Sequence, residues 1–391
     1  MNTAAQWFAV MLAFVAAVAG VGVMVLSARR RAQPGHLVWI DVLRGAVAAG
    51  TMVVAAIAAG LMTFRLDLFG VVSVLYFAVV VGVPVVGMLV VGWWLRDRRG
   101  RSVSRPVAAL LAPALLAGSI GVWGSAIEPY RLEVDRPDLI VVSSARTGRE
   151  SIRIGVLTDL QAAHIGDYER SAVDMLMAQK PDIILLPGDI LQADADGHVR
   201  ERVAVRELFA RLHAPGGVFV VPGDVDTFWP DTLDSLDPFV NGTDVRVLRN
   251  EIVTTQVGDR SVRIAGLALD YQSPAALGAV TALEAAPGAD EVRILLAHRP
   301  DAVDLLPGSP RTDLVVAGHT HGGQVSVPGV GPLITMSGVP RAVAAGGLHQ
   351  MGERRIYVGR GVGMERSQAP PVRLGVPPNI GILTIGNTAD G

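Results

Sequence analysis

The chain has 391 residues, half of them hydrophobic, and a formal net charge of −2 from 34 basic and 36 acidic side chains. This near-neutral balance leaves no electrostatic footprint for nucleic acid, so no nucleic-acid partner is expected. There is no cysteine, which excludes disulfides and thiolate metal ligands.

The hydrophobicity is concentrated at the N-terminal end. Residues 4–28, 45–64, 69–95 and 106–127 carry no charge. Each run has about the 20 residues needed to cross a bilayer. Four in succession predict a transmembrane region over residues 1–128. Met1-Asn-Thr-Ala-Ala-Gln offers no basic n-region, so the first run reads as a retained helix rather than a cleaved leader. The first interhelix stretch holds Arg29, Arg30, Arg31 and Arg44, and the third holds Arg96, Arg98, Arg99, Arg101 and Arg105. The second holds Arg65 beside Asp67. Basic loops stay cytoplasmic, which puts both termini and the C-terminal domain outside the cytoplasmic membrane. Trp93 and Trp94 close the third run, where interfacial aromatics belong. Asp41 and Arg44 read as an interfacial pair. No charge falls inside a run, which argues against a proton or ion path.

Residues 129–150 read as a linker leading into a first core strand, and 151–386 as one domain. Strands are predicted near 152–158, 182–187, 217–222, 245–248, 251–257, 261–267, 292–297, 313–317, 323–327, 355–359 and 380–385. Helices are predicted near 168–179, 199–213, 274–284 and 300–306. Strands alternating with helices, followed mostly by strands, suggest an α/β fold of two packed mixed sheets flanked by helices.

Five apolar runs end in a potential metal ligand: Asp159, Asp189, Asp224, His298 and His319, with His321 two residues further on. Strand ends are where α/β enzymes place ligands, and imidazole is the commonest neutral metal ligand. Carboxylates and imidazoles in this number are the parts of a two-metal hydrolytic centre.

With the segment Gly318-His-Thr-His-Gly-Gly-Gln324, these residues resemble the calcineurin-like metallophosphoesterases. The likeness is to the membrane-anchored bacterial branch with that signature. It runs from about Glu128 to Ile385 and includes Gly188-Asp189, Val245 to Glu251, Tyr357 to Gly363 and Pro377 to Ile385. The resemblance implies a four-layer α-β-β-α sandwich and two divalent ions, with Mn, Fe, Zn and Co all compatible with the donor set. It implies that Asp159 binds the first ion with His321, that Asp189 bridges both, and that His298 and His319 bind the second. The activity implied is hydrolysis of a phosphate ester, diester or pyrophosphate. On location alone, the phosphorylated substrate extends to an envelope lipid.

Three positions depart from the family pattern. Gln161 stands where the first motif has His; its amide oxygen is still a hard-metal ligand. Asp224 stands where the third motif has Asn and keeps an oxygen ligand. Val225 stands where that motif has His, and valine can neither donate nor accept a proton. Another acid would then be needed, with Asp226 and His164 the candidates. The alternative is a degenerate, non-catalytic domain that serves as a metal-binding or scaffolding module. Arg360 is open between a contact to substrate phosphate and a structural salt bridge.

Overall fold

The computed structural model describes residues 3–30, 38–63, 68–97, 105–138, 140–141, 151–227, 236–285, 291–365 and 369–386. It divides into two compact units. One comprises Met1–Ile127 with Glu365–Pro371, the other Glu128–Met364 with Val372–Gly391.

The first unit is built from apolar helices. They are α1 (Thr3–Arg29), α2 (Trp39–Thr63), α3 (Leu68–Phe77), α4 (Val83–Asp97) and α5 (Arg105–Val122). A π-turn, Ala78–Gly82, joins α3 to α4 without a break, and a second, Trp123–Ile127, extends α5. Pro84 lies two residues past the first π-turn. It has no N–H to return to the preceding turn, and widening the helix there relieves the clash. The resulting spans long and apolar enough to cross a membrane are Ala9–Arg29, Trp39–Ala59, Gly70–Leu95 and Ala108–Tyr130. Helices α1 and α2 cross closely at two glycines: a Cβ on Gly20 would stand 2.8 Å from the Gly45 carbonyl oxygen.

The second helix starts at Trp39, earlier than its uncharged run, so Asp41 and Arg44 lie inside it. Ser27 links them. Its hydroxyl donates to Asp41 at 2.8 Å and accepts from Arg44 at 2.7 Å. A buried carboxylate is tolerated because it is hydrogen-bonded. The stretches 31–37, 64–67 and 98–104, which carry Arg31, Arg65, Arg98, Arg99 and Arg101, lie outside the described residues.

The second unit runs β1 (Glu133–Asp135), β2 (Ile140–Val141), β3 (Ile152–Val156), α6 (Asp167–Met177), β4 (Ile183–Leu186), α7 (Ala195–Phe209), β5 (Val218–Val220) and α8 (Asp237–Val240). It continues with β6 (Val245–Val247), β7 (Glu251–Val257), β8 (Arg260–Gly266), α9 (Pro274–Ala285), β9 (Glu291–Leu296) and β10 (Leu314–Ala317). The remaining elements are β11 (Ser326–Val327), β12 (Gly331–Pro332), α10 (Arg341–Ala344), β13 (Gly347–Met351), β14 (Arg354–Val358) and β15 (Asn379–Gly386).

One sheet has the order β1-β15-β3-β4-β5-β6, with β2 also on β15. The other has the order β13-β14-β10-β9-β8-β7. Strands β3 to β6 are mutually parallel, as are β8, β9, β10 and β14. The stretch 129–150, expected to hold a linker and a first core strand, supplies two short strands to the first sheet; residues 142–150 lie outside the described residues.

The layers follow from alternation along each strand. Ile183 and Leu185 of β4 face a core shared with Val292, Ile294, Leu314 and Val316 of the other sheet. Ile184 and Leu186, the alternate residues, pack on Val173 and Leu176 of α6 and Leu208 of α7. Val315 turns away from the shared core toward Val280 and Leu283 of α9. The order is therefore helices, sheet, sheet, helices, the four-layer sandwich. Strands covered on both faces read as unbroken apolar runs, which β4 and β10 are. Each fully buried Ile, Val or Leu contributes roughly 1.5–3 kcal/mol.

Two helix starts carry side-chain caps. The Asp194 carboxylate accepts from the Gly197 N–H at 2.7 Å before α7, and the Ser273 hydroxyl from the Ala276 N–H at 3.2 Å before α9. Two expectations shift. Residues 300–305 form a 3₁₀ turn rather than an α-helix. The strand expected over 323–327 begins only at Ser326, because Gly322, Gly323 and Gln324 take φ of 60°, 80° and 55° and curl the chain into a turn.

Candidate metal centre

The candidate ligands sit just past the C-terminal ends of parallel strands in both sheets. Asp159 follows β3, Asp189 follows β4 and Asp224 follows β5. His298 follows β9, and His319 and His321 follow β10. Backbone bonds tie these turns together. The Asp159 N–H donates to the Gly188 carbonyl at 3.1 Å and the Gln161 N–H to the Asp189 carbonyl at 2.8 Å. The His319 N–H crosses from the second sheet to the Asp159 carboxylate at 3.0 Å.

Asp159, Gln161, Asp189, His319 and His321 all have positive φ, between 36° and 71°. Such conformations cost about 1–3 kcal/mol each in non-glycine residues and collect at functional sites. Glycines supply the close approaches: a Cβ on Gly318 would collide with Thr158 and Asp159, and one on Gly223 with Asp189.

Two groups of ligand atoms result, each within 4.8 Å: Asp159, Asp189 and His321 in one, Asp224, His298 and His319 in the other. They adjoin, since His298 Nε2 lies 3.5 Å from Asp189 Oδ1 and 3.3 Å from Asp224 Oδ2. Gln161 stands beside the first group, its side-chain N–H donating to Asp189 Oδ2 at 3.1 Å.

The imidazoles are oriented from behind. His298 Nδ1 is 2.7 Å from the Pro187 carbonyl, and His319 Nε2 is 3.1 Å from the Met336 carbonyl. A carbonyl only accepts, so those nitrogens carry the protons. His298 Nε2 and His319 Nδ1 then converge at 3.3 Å from each other, with Nδ1 2.9 Å from Asp224 Oδ2. Ligating histidines are held in this way.

The electrostatics fit a cation. Burial pushes the Asp159 and Asp189 carboxyls above the usual carboxylate range, although His298 opposes it. Burial pushes the His298 pKa down, yet the carboxylates of Asp189, Asp224 and Asp159 raise it to about 10. The field that draws a proton there also draws a metal ion. Mixed oxygen and imidazole donors, converging lone pairs and buried negative charge all fit divalent ions.

The expected proton donors are placed differently. Asp226 is buried, and its carboxylate accepts from the backbone N–H groups of Asp189 (2.8 Å), Ile190 (3.0 Å) and Gly223 (2.9 Å). These three bonds hold the two Gly-Asp turns in place. His164 is exposed and stands outside both ligand groups. Val225 lies beside Asp189, its N–H donating to Oδ1 at 2.9 Å. Arg360 takes the structural alternative, with Nη2 3.4 Å from Glu133.

Sequence reasoning missed Arg299. Its guanidinium grips Asp224 through both Nε and Nη2, the former at 3.2 Å. Burial alone would raise the Asp224 carboxyl, but hydrogen bonds from His298, His319 and Arg299 hold it well below the usual range. The only local signal was that Arg299 follows His298. Arg373 was also missed: it is buried, bonds the Gly361 and Gly363 carbonyls, and lies 3.4 Å from His321 Nδ1.

A two-sheet sandwich that gathers carboxylates and histidines at its strand ends has the architecture of a metal-dependent hydrolase. The calcineurin-like phosphoesterase family profile matches residues 152–323. Over 288 residues the chain is 32% identical to YkuE of Bacillus subtilis (strain 168), an uncharacterized metallophosphoesterase, covering 72% of this chain and 94% of YkuE. It is 30% identical over 197 residues to the phosphodiesterase YaeI of Escherichia coli (strain K12), covering 49% of this chain and 67% of YaeI. It is 26% identical to a bovine transmembrane protein with a metallophosphoesterase domain, covering 59% of this chain and 52% of that protein. The chain belongs to the calcineurin-like metallophosphoesterase family.

Proposed function

We propose that the chain is a membrane-anchored phosphoesterase with a dinuclear metal centre, acting on a phosphate ester, diester or pyrophosphate, including a lipid-linked one, at the outer face of the cytoplasmic membrane. The observation that carries this is the pair of adjoining ligand groups. Asp159, Gln161, Asp189 and His321 would hold one ion, and Asp189, Asp224, His298 and His319 the other. Bound there, two divalent ions would activate water and neutralise the phosphoryl oxygens. The chain's own part is positional. Pro187 and Met336 aim the imidazoles, Asp226 fixes the Asp189 and Asp224 turns, and Thr158 holds Asp159 through a 2.5 Å hydrogen bond. The four apolar helices support the anchoring.

Val225 favours a second reading, a binding module without turnover, because no imidazole donor stands at that position. The test is metal content and Mn²⁺-dependent turnover of the detergent-solubilised full chain on phosphomonoesters, phosphodiesters and pyrophosphates. Two ions with turnover support the enzyme; two ions without turnover support the module. The orientation is tested separately by fusing alkaline phosphatase after Gly391. An active fusion puts the domain outside, and an inactive one reverses the assignment.

A further inference from the structure

Arg299 is positioned with unusual completeness for a half-exposed side chain. Its backbone is clamped by Tyr271, whose hydroxyl accepts from the Arg299 N–H at 2.7 Å and lies 3.4 Å from its carbonyl. Tyr271 is itself largely desolvated, and burial pushes its pKa up. The guanidinium is clamped by Asp224 along the Nε–Nη2 edge. A guanidinium has five N–H donors in one plane, and this grip uses two. The side chain remains 43% exposed, at the edge of the Asp224, His298 and His319 group.

The chemistry of position 224 gives the arrangement meaning. An amide there would offer an oxygen to a cation and N–H donors on its other side; a carboxylate offers oxygens alone. Asp224 turns Oδ2 toward His298 and His319, where it also accepts from Arg299 Nε, and gives Oδ1 to Arg299 Nη2. Together the pair presents an oxygen to the ligand group and N–H donors at its edge, as an amide would. Position 225, a valine, adds no side-chain donor.

We propose that Arg299 is a substrate-binding residue, its outward N–H groups contacting the non-bridging oxygens of the phosphoryl group, with Asp224 as the carboxylate that pre-orients it. The proposal rests on the phosphoesterase reading above. Arginine suits this task because its charge is permanent and its fork matches two oxygens. Held from both ends, it loses little freedom when the anion arrives.

The test is direct binding of inorganic phosphate to the metal-loaded full chain by calorimetry, with metal content measured on the same samples. Arg299→Ala should weaken phosphate binding about 10- to 100-fold, the range for one charged hydrogen-bonding group, while metal content stays at the wild-type value. Arg299→Lys should keep part of the affinity. Adding Asp224→Asn to Arg299→Ala should recover part of the loss, because the amide returns N–H donors beside the retained oxygen. Phosphate binding unchanged in Arg299→Ala overturns the proposal. So does loss of metal from that variant, which would make the arginine a structural support. Absence of ester turnover in the wild type overturns the enzyme reading alone, because phosphate binding is read without turnover.

Discussion

The two ligand groups differ in how they are kept. Asp159, Asp189 and His321 are each at most 4% exposed, and Asp159 and Asp189 are fixed by backbone N–H groups and neighbouring glycines. The Asp224 and His319 side chains are 28% and 15% exposed, and their orientation depends on side chains and carbonyls from distant loops. The first group is part of the folded core. The second runs from the fully buried His298 out to the partly exposed Asp224 and His319. The same fold thus separates a buried ligand group from a more open one, a division that substitutions can break or sharpen.

The largest effect is expected where the groups meet. Asp189 belongs to the first and lies 3.5 Å from His298 of the second. Asp189→Ala should remove both ions and abolish turnover, measured by elemental analysis and phosphodiester hydrolysis. Full occupancy in this variant would break the proposed bridge. The single-site variants should then separate. His321→Ala should deplete one ion and His298→Ala the other. Because outer-shell losses alone cost about 10–100-fold in metal affinity, each direct loss should exceed that. Equal loss of both ions in both variants would dissolve the distinction.

A third prediction concerns what holds the division in place. Asp226 satisfies three buried N–H groups, and a stranded buried donor costs about 1–3 kcal/mol. Asp226→Ala should therefore lower the stability of the sandwich by at least that amount, read as a fall of several degrees in its melting temperature, roughly 2–4 °C per kcal/mol for a domain of this size. A normal melting temperature with a lost pH limb would instead restore Asp226 as a proton donor.

These residues also show what a linear reading can reach. Asp159, Asp189, Asp224, His298 and His319 were legible because each ends a local apolar run, and the run and its ligand are neighbours in the chain. The sandwich was legible for the same reason: strands buried on both faces announce themselves by composition. The role of Arg299 was not, because its partner is 75 residues away and the contact is made only when the two sheets stack. Asp226 looked like a motif acid, but its carboxylate turns inward to backbone donors that have no side-chain signature. Strands β1 and β13 are sheet-edge segments of mostly intermediate burial, so their apolar pattern is weak. The π-turns are likewise local geometry that a hydropathy run does not record.

The smallest and most discriminating effect is expected at Val225. Its N–H holds Asp189, a contact that any residue there other than proline retains, so a side-chain change need not disturb the first group. Its side chain is half-buried in the turn Val225–Thr227, next to the more open second group. Val225→His would place a titratable donor at that rim. General acid catalysis contributes about 10²–10⁴-fold where the leaving group needs a proton. Imidazole is larger than isopropyl, and imperfect placement should keep the gain near the lower limit. The rate on poor leaving groups should therefore rise by about 10²-fold, with little change for activated aryl phosphates, which depart without protonation. Comparing the two substrate classes on one preparation cancels differences in folding and metal loading. A uniform rise in both classes would mean that the histidine acts by binding rather than by proton transfer. No rise in either class, with two ions bound, would show that the second group already obtains its proton from another donor or performs no hydrolysis.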